Sequence, residues 1–147
     1  MQAHLGAPLM ALATTPYPFQ RSDAGRAESK RPRQQNDCTV RAVALARGLP
    51  YDQAYDLLMS AGRKASRKFS VTAFLKAKPW AEWVSLPAVK GQRRMNPATF
   101  HKRFPTGTYI CKAANHVFAV IEGMVFDTDL PRPDSCIYGA WAIRPEA

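Results

Sequence analysis

The segment from residue 115 to 129 limits the fold more than any other part of the sequence, because it predicts two antiparallel strands with a very short connection. Two apolar runs flank Glu122-Gly123, and a two-residue loop that contains glycine is typical of a tight hairpin turn. With these two residues in the loop, Ile121 pairs with Met124, and the next pair outward is Val120 with Val125.

Three chemically active side chains share one face of this predicted hairpin. Because side chains alternate between the two faces of a strand, His116, Asp127 and Asp129 all point the same way. In this register Asp129 is directly opposite His116 and Asp127 is diagonal to it. Either carboxylate could therefore orient the imidazole, and a bulge at Gly123 would change which one does.

A second segment predicts a helix that begins beside a cysteine. Asn36 and Asp37 are favoured N-cap residues, the apolar side chains after them share one helical face, and Gly48 is typical of a helix end. Cys38 then lies in the first turn, where free backbone N–H groups and the helix dipole stabilise a thiolate. The sequence thus offers a nucleophile, a base and an orienting carboxylate, which is the chemistry of a cysteine hydrolase.

The remaining patterns predict an α+β fold in a single domain covering 1–147. A second helix follows from Tyr51, and shorter ones begin at the caps Ser70 and Asn96. Strand patterns dominate the C-terminal half, so we expect N-terminal helices packed on an antiparallel sheet. Residues 1–16 have an extended, proline-containing pattern and are expected to form an arm.

The chain is strongly basic, with a formal net charge of +10. Between residues 61 and 103 the sequence contains one acid, Glu82, and the densest basic run predicts a basic patch that could bind a polyanion or be a solvated surface. Its members are Arg63, Lys64, Arg67 and Lys68.

The cysteines do not suggest a disulfide framework. Cys38, Cys111 and Cys136 are widely spaced and odd in number, which favours a reducing, cytoplasmic setting. Their spacing, with His116, gives little support to a zinc site, so we expect no metal and no cofactor. No apolar run is long enough to span a membrane. The sequence does not indicate an oligomeric state.

As an ordered set, the motifs resemble papain-like cysteine peptidases of the compact bacterial and phage kind, and in particular a group of small phage and proteobacterial proteins. The resemblance covers the chain from about Phe19 to Ile143. It rests on Gly25-Arg26-Ala27, Asp37-Cys38, His116, Asp127-Thr128 and Tyr138-Gly139-Ala140-Trp141.

The resemblance implies a papain-like fold in which Cys38 is the nucleophile, His116 the general base and Asp127 the orienting residue. Papain-like peptidases usually carry an oxyanion-hole glutamine six residues before the cysteine, and that position is Pro32 here. We therefore expect Gln35 to donate to the oxyanion, with Gln34 and Asn36 as alternatives.

Two functions from different classes follow. The first is a thiol hydrolase, or an acyl transferase, acting on an amide, peptide or isopeptide bond of a protein or peptide substrate. The second is a non-catalytic binding module that holds nucleic acid or an acidic protein through the basic patch. Salt-dependent binding that survives loss of Cys38 would separate the second from the first.

Overall fold

The computed structural model describes residues 15–146 of the chain. Most of the predicted arm, residues 1–14, lies outside the described residues. Within the described part, the helices are α1 (Cys38–Arg47), α2 (Tyr51–Ser60), α3 (Val71–Lys76) and α4 (Pro97–Arg103). The strands are β1 (Phe19–Arg21), β2 (Ala81–Val84), β3 (Thr108–Ala113), β4 (His116–Ile121), β5 (Met124–Asp127) and β6 (Ile137–Ile143).

All six described strands form one mixed sheet in the order β1-β5-β4-β3-β6-β2. The four strands from the C-terminal half are antiparallel to their neighbours, as predicted, and β2 adds to them at one edge. The prediction of a purely antiparallel sheet is wrong at the other edge, where β1 runs parallel to β5. The chain is therefore α+β with a mixed sheet, and β1 is a strand that the sequence patterns did not reveal.

The predicted hairpin has the expected register near its turn. Ile121 pairs with Met124 and Val120 with Val125. Glu122 and Gly123 have φ values of 50° and 80°, as a two-residue turn of this kind requires. Because the turn contains no bulge, the two strands bring the start of β4 and the end of β5 to the same end of the sheet.

Both faces of the sheet are covered by core residues. Ile110 and Val117 pack in a cluster with α1, α2 and α3, whereas Cys111 and Phe118 pack in a second cluster with Phe100 of α4. Neighbouring residues of β3 and β4 enter different clusters because strand side chains alternate between faces. The sheet is thus a rigid central layer on which α1 is fixed.

The helix limits follow local signals in the sequence. Ser70 caps α3 by accepting the Ala73 N–H, and Asn96 caps α4 in a capping box. Helix α1 ends at Gly48, which has the left-handed conformation typical of that position. Asp37 occupies the N-cap position of α1 but makes no side-chain capping bond. Its carboxylate has other partners, described below.

Candidate active site

Cys38, His116 and Asp127 meet at one end of the sheet. Cys38 is the first residue of α1, His116 is the first residue of β4, and Asp127 is the last residue of β5. Antiparallel pairing places the start of β4 beside the end of β5, and the packing of α1 against the sheet brings the thiol to the same place. The fold thus brings Cys38 to two residues that follow it by 78 and 89 positions in the chain.

The three side chains form a continuous hydrogen-bonded chain. Nε2 of His116 lies 2.5 Å from Oδ2 of Asp127. The Cys38 sulfur is hydrogen-bonded to His116 and to the backbone N–H of Val117. Because Asp127 engages Nε2, Nδ1 is the ring nitrogen left for the sulfur. The His116 side chain is 35% exposed and that of Asp127 is 2% exposed, so the imidazole is accessible from solvent and the carboxylate is not.

The pKa values of the three groups favour a thiolate–imidazolium pair. Burial alone would raise the pKa of Cys38, but the His116 hydrogen bond and charge, the Val117 N–H and the Arg41 charge lower it below its usual value. The hydrogen bond to Asp127, with the bond to Cys38, raises the pKa of His116 to about 9. Both shifts stabilise the thiolate, which is the nucleophilic form of cysteine, relative to the thiol.

Asp127 is held as an anion although it is buried. Burial raises its pKa, but the hydrogen bonds and charges of His116 and Arg41 outweigh burial and lower it below the usual range. Nη1 of Arg41 donates to Oδ1 of Asp127 at 2.7 Å, and the Thr128 backbone N–H donates to the same oxygen at 2.8 Å. Each carboxylate oxygen thus has a partner, which fixes its orientation toward the imidazole.

Arg41 connects this carboxylate to a second one. Its Nε donates to Oδ1 of Asp37 at 3.1 Å. Asp37 is 2% exposed and also accepts two bonds of 3.0 Å from Nη1 of Arg26 and one of 2.7 Å from the Tyr51 hydroxyl. These contacts occupy both oxygens of Asp37, which explains why it does not cap α1.

Charges alternate along the whole network. From the loop before α1 to the thiolate, the order is Arg26, Asp37, Arg41, Asp127, His116 and Cys38. Three cations and three anions leave no net charge, and this neutrality limits the cost of burying the ions. The network also ties the N-terminus of α1 to the end of β5.

A cleft opens beside Cys38 and His116. Its volume is about 670 Å³. Its lining comes from the start of α1, the loop between α2 and α3, the start of α3, and from β3, β4 and the turn between them. The lining residues are Asn36, Cys38, Thr39, Arg63, Ala65, Ser66, Arg67, Lys68, Phe69, Val71, Lys112, Asn115, His116 and Val117.

The positions of Asp127 and Asp129 distinguish the two candidates for the orienting carboxylate. Asp127 contacts His116, whereas the Asp129 side chain is 91% exposed and lies 3.4 Å from Arg21. Strand β5 ends at Asp127, so the hairpin register does not continue to the pair of Asp129 with His116. The alternative prediction, that Asp129 orients the imidazole, is therefore wrong.

Gln35 does not lie in the cleft. Its side chain is exposed and is not among the lining residues, whereas Asn36 is. Asn36 has a φ of 52°, and this left-handed residue turns the chain between Gln35 and Cys38. Nδ2 of Asn36 donates to the Ala65 carbonyl at 2.9 Å. Of the three amide residues that precede Cys38, Asn36 is therefore the one that lines the cleft.

The predicted basic patch divides into two parts. Arg63 is 5% exposed and its Nη2 donates to the carbonyls of Gln35 and Asn36, so it is a structural residue beneath the cleft. The solvated-patch description is wrong for this residue. Arg67 and Lys68 are exposed and line the cleft, and Lys64 is exposed but does not line it.

Sequence reasoning missed Arg26, Arg41 and Tyr51, which support the site without touching the sulfur. Arg41 carried a visible signal, because it interrupts an otherwise apolar helix and follows Asp37 by four residues. A charged residue on a buried helical face usually has a partner. Arg26 lies within the Gly25-Arg26-Ala27 motif but has no local pattern that points to Asp37.

Comparison with known proteins gives no match: no family model, no curated protein and no solved structure is similar to this chain. In the range 15–146, no helix is long and apolar enough to cross a membrane. The same range contains no group of three or more His, Cys, Asp or Glu side chains arranged to hold a metal ion.

Cys111 is fully buried, and its burial raises the pKa of its thiol.

Proposed function

We propose that this chain is a papain-like thiol hydrolase that cleaves an amide, peptide or isopeptide bond. In this proposal Cys38 is the nucleophile, His116 is the acid and base, and Asp127 orients the imidazole. The observation that carries the proposal is the unbroken contact from a thiol at a helix start, through an imidazole, to a buried carboxylate. Nucleophile, base and orienting group in this order are the parts that covalent acyl transfer needs.

The first half of the reaction forms an acyl-enzyme. The Cys38 thiolate attacks the carbonyl carbon, a C–S bond forms, and the carbonyl electron pair moves to the oxygen. As the C–N bond breaks, His116 gives its Nδ1 proton to the leaving amine. A thioester on Cys38 and a neutral imidazole remain.

The second half consumes water. Neutral His116 takes a proton from a water molecule, whose oxygen adds to the thioester carbon. The C–S bond then breaks, which releases the carboxylic acid and restores the thiolate and the imidazolium. Asp127 keeps its negative charge throughout, because Arg41 and the Thr128 N–H hold it in place. An amine in place of water would give acyl transfer by the same steps.

Two donors can stabilise the developing oxyanion. One is the Cys38 backbone N–H, which belongs to the helix end whose N–H groups have no intrahelical partner. The other is Nδ2 of Asn36, which uses one hydrogen for the Ala65 carbonyl and keeps a second. Asn36→Gly, which tolerates the left-handed backbone, is expected to lower kcat about 10²–10³-fold. Gln35→Ala is the matched control and should retain activity.

The experiment that tests the proposal uses p-nitrophenyl acetate, an activated acyl donor that needs little specific recognition. Intact-mass spectrometry should detect an acetyl group on Cys38 that forms and then hydrolyses. His116→Ala should acylate slowly and fail to deacylate, and Cys136→Ala should behave as the wild type. Acetylation that is equally fast without His116, or that avoids Cys38, contradicts the proposal.

The exposed cations support a second candidate, a binding module for nucleic acid or an acidic protein on the same scaffold. Lys64, Arg67 and Lys68 are exposed, and within residues 15–146 none has a carboxylate partner within 4.0 Å. Fluorescence anisotropy with single-stranded DNA tests this candidate. It requires salt-dependent binding that Cys38→Ala retains and that neutralisation of the three cations weakens.

A further inference from the structure

We propose that the cleft beside Cys38 selects acidic peptides as acyl donors, so that Asp or Glu side chains flank the bond that is cleaved. This inference rests on the proposed hydrolase function and names the substrate class of the same site. It depends on the charges that line the cleft, on their lack of carboxylate partners and on the chemistry of the nucleophile.

Cations from two separate parts of the chain line the cleft. Arg67 and Lys68 come from the loop between α2 and α3, and Lys112 comes from β3. No Asp or Glu is among the residues that line the cleft. An anionic ligand in the cleft would therefore meet positive charge from two separate parts of the chain.

These cations are not neutralised within the described part of the chain. No carboxylate lies within 4.0 Å of Arg67, Lys68 or Lys112, whereas arginines elsewhere have such partners, as Arg31 does with Asp52 at 2.6 Å. Positive charge that is unpaired and lies along the walls of a cleft produces a focused potential that concentrates anions.

A buried cation adds to this positive potential. Arg63 is 5% exposed, lines the cleft and donates only to backbone carbonyls, so its charge is not cancelled by a carboxylate. A charge in a less polar environment acts over a longer distance than an exposed one. Arg63 also holds the loop that carries Asn36, through its bonds to the Gln35 and Asn36 carbonyls. These bonds fix the position of its charge relative to Cys38.

The chemistry of the nucleophile favours a peptide over a nucleic acid. A thiolate attacks a carbonyl carbon and the backbone of a nucleic acid has phosphodiesters instead. Apolar side chains between the cations, namely Phe69, Val71 and Val117, suit the aliphatic part of a peptide. The cleft volume of about 670 Å³ is in the range of sites that bind small ligands or a few residues.

The test compares an anionic and a neutral reagent at the same thiol. Rates of Cys38 alkylation by iodoacetate and by iodoacetamide are measured by intact-mass spectrometry at low salt. In the triple variant Arg67→Gln, Lys68→Gln, Lys112→Gln, the iodoacetate to iodoacetamide rate ratio should fall about tenfold. Lys90→Gln, an exposed lysine that does not line the cleft, should leave the ratio unchanged. In 0.5 M NaCl the difference between wild type and triple variant should shrink.

A competition experiment identifies the class of anion. A short peptide of Glu and Gly should slow iodoacetamide labelling of Cys38 at least fivefold more than the same peptide with Gln. Single-stranded DNA at equal charge concentration should protect less. Equal protection by DNA, or by the Gln peptide, overturns selection of acidic peptides.

The outcomes for this inference and for the proposed function are distinguishable. Fast iodoacetamide labelling with a rate ratio that the triple variant does not change refutes the acidic-substrate inference and leaves the thiolate intact. Labelling of Cys38 by both reagents no faster than that of a free cysteine refutes the hydrolase itself. Arg67 and Lys68 are exposed, so their replacement is not expected to unfold the protein.

Discussion

Replacement of Arg41 by methionine should destabilise the fold through the two carboxylates that it leaves behind. The Arg41 side chain is 10% exposed and contacts Asp37 at 3.1 Å and Asp127 at 2.7 Å. Removal of one partner from a buried ion pair costs about 3–5 kcal/mol. Asp37 keeps Arg26 and Tyr51, and Asp127 keeps His116, so the lower end of that range, about 3 kcal/mol, is expected.

Urea unfolding followed by circular dichroism measures this loss. For a domain of this size an m value of about 1.5 kcal/mol/M turns the loss into a decrease of about 2 M in the unfolding midpoint. Arg41→Lys keeps the positive charge but cannot bond Asp37 and Asp127 in the same way as the guanidinium. It should lower the free energy of unfolding by less than Arg41→Met does.

A double-mutant cycle with Asp37→Asn separates lost charge pairing from lost packing. If the cost of Arg41→Met comes from unpaired carboxylates, the double variant should be more stable than the sum of the two single losses predicts, by about 1–2 kcal/mol. A loss below about 1 kcal/mol in Arg41→Met, or strictly additive losses, would refute the idea that Arg41 stabilises these two anions.

Three further outcomes are expected. Asp127→Asn should return the pKa of His116 from about 9 toward 6.5. At pH 7.5 the fraction of imidazolium would then fall about tenfold, and the rate of Cys38 alkylation should fall with it. An unchanged alkylation rate contradicts this prediction. The folded-state pKa values of Asp37 and Asp127 are lowered. The stability that these two carboxylates provide is therefore present above about pH 4 and is lost as the pH falls through their folded-state pKa values. Urea titrations at pH 5, 4 and 3 measure this loss. In Gly139→Ala the new Cβ would lie 2.8 Å from two ring atoms of Trp83, which is 53% exposed and can swing outward; we expect a loss of about 1 kcal/mol and red-shifted tryptophan emission, and unshifted emission would be inconsistent with this packing.

The parts of the fold that depend on local signals could be predicted from the sequence. The caps at Ser70 and Asn96, the helix end at Gly48 and the Glu122-Gly123 turn each depend on the preferences of a few neighbouring residues. Strand β1 could not be predicted, since Phe19–Arg21 is too short to show a period. Its parallel pairing with β5 joins positions more than 100 residues apart, and no local pattern encodes that.

The site was predictable in its chemistry and less so in its detail. A helix-start cysteine and a strand histidine with a nearby aspartate can be found by spacing, but the choice of Asp127 over Asp129 depends on where β5 stops. That stop coincides with the point where Asp127 accepts the Ser22 N–H, a long-range contact. The cleft is lined by Asn36 instead of Gln35 because Asn36 has a left-handed backbone conformation, which sequence patterns rarely specify.

The charge network shows a further limit of local reasoning. Arg41 was visible as a charged residue within an apolar helix, but its two partners lie in different directions, one four residues earlier and one on β5. The dense basic run gave the correct sign of the cleft charge. It did not distinguish buried Arg63 from exposed Lys68, because burial depends on the path of the loop between α2 and α3.

The most direct test of the thiolate–imidazolium pair is the rate of Cys38 alkylation by iodoacetamide as a function of pH, in the wild type and in His116→Ala. The lowered pKa of Cys38 predicts fast labelling that persists below the usual thiol pKa of about 8.5 and is lost in the variant. Slow labelling that follows an ordinary thiol titration, or a profile that His116→Ala leaves unchanged, would contradict an activated nucleophile at this site.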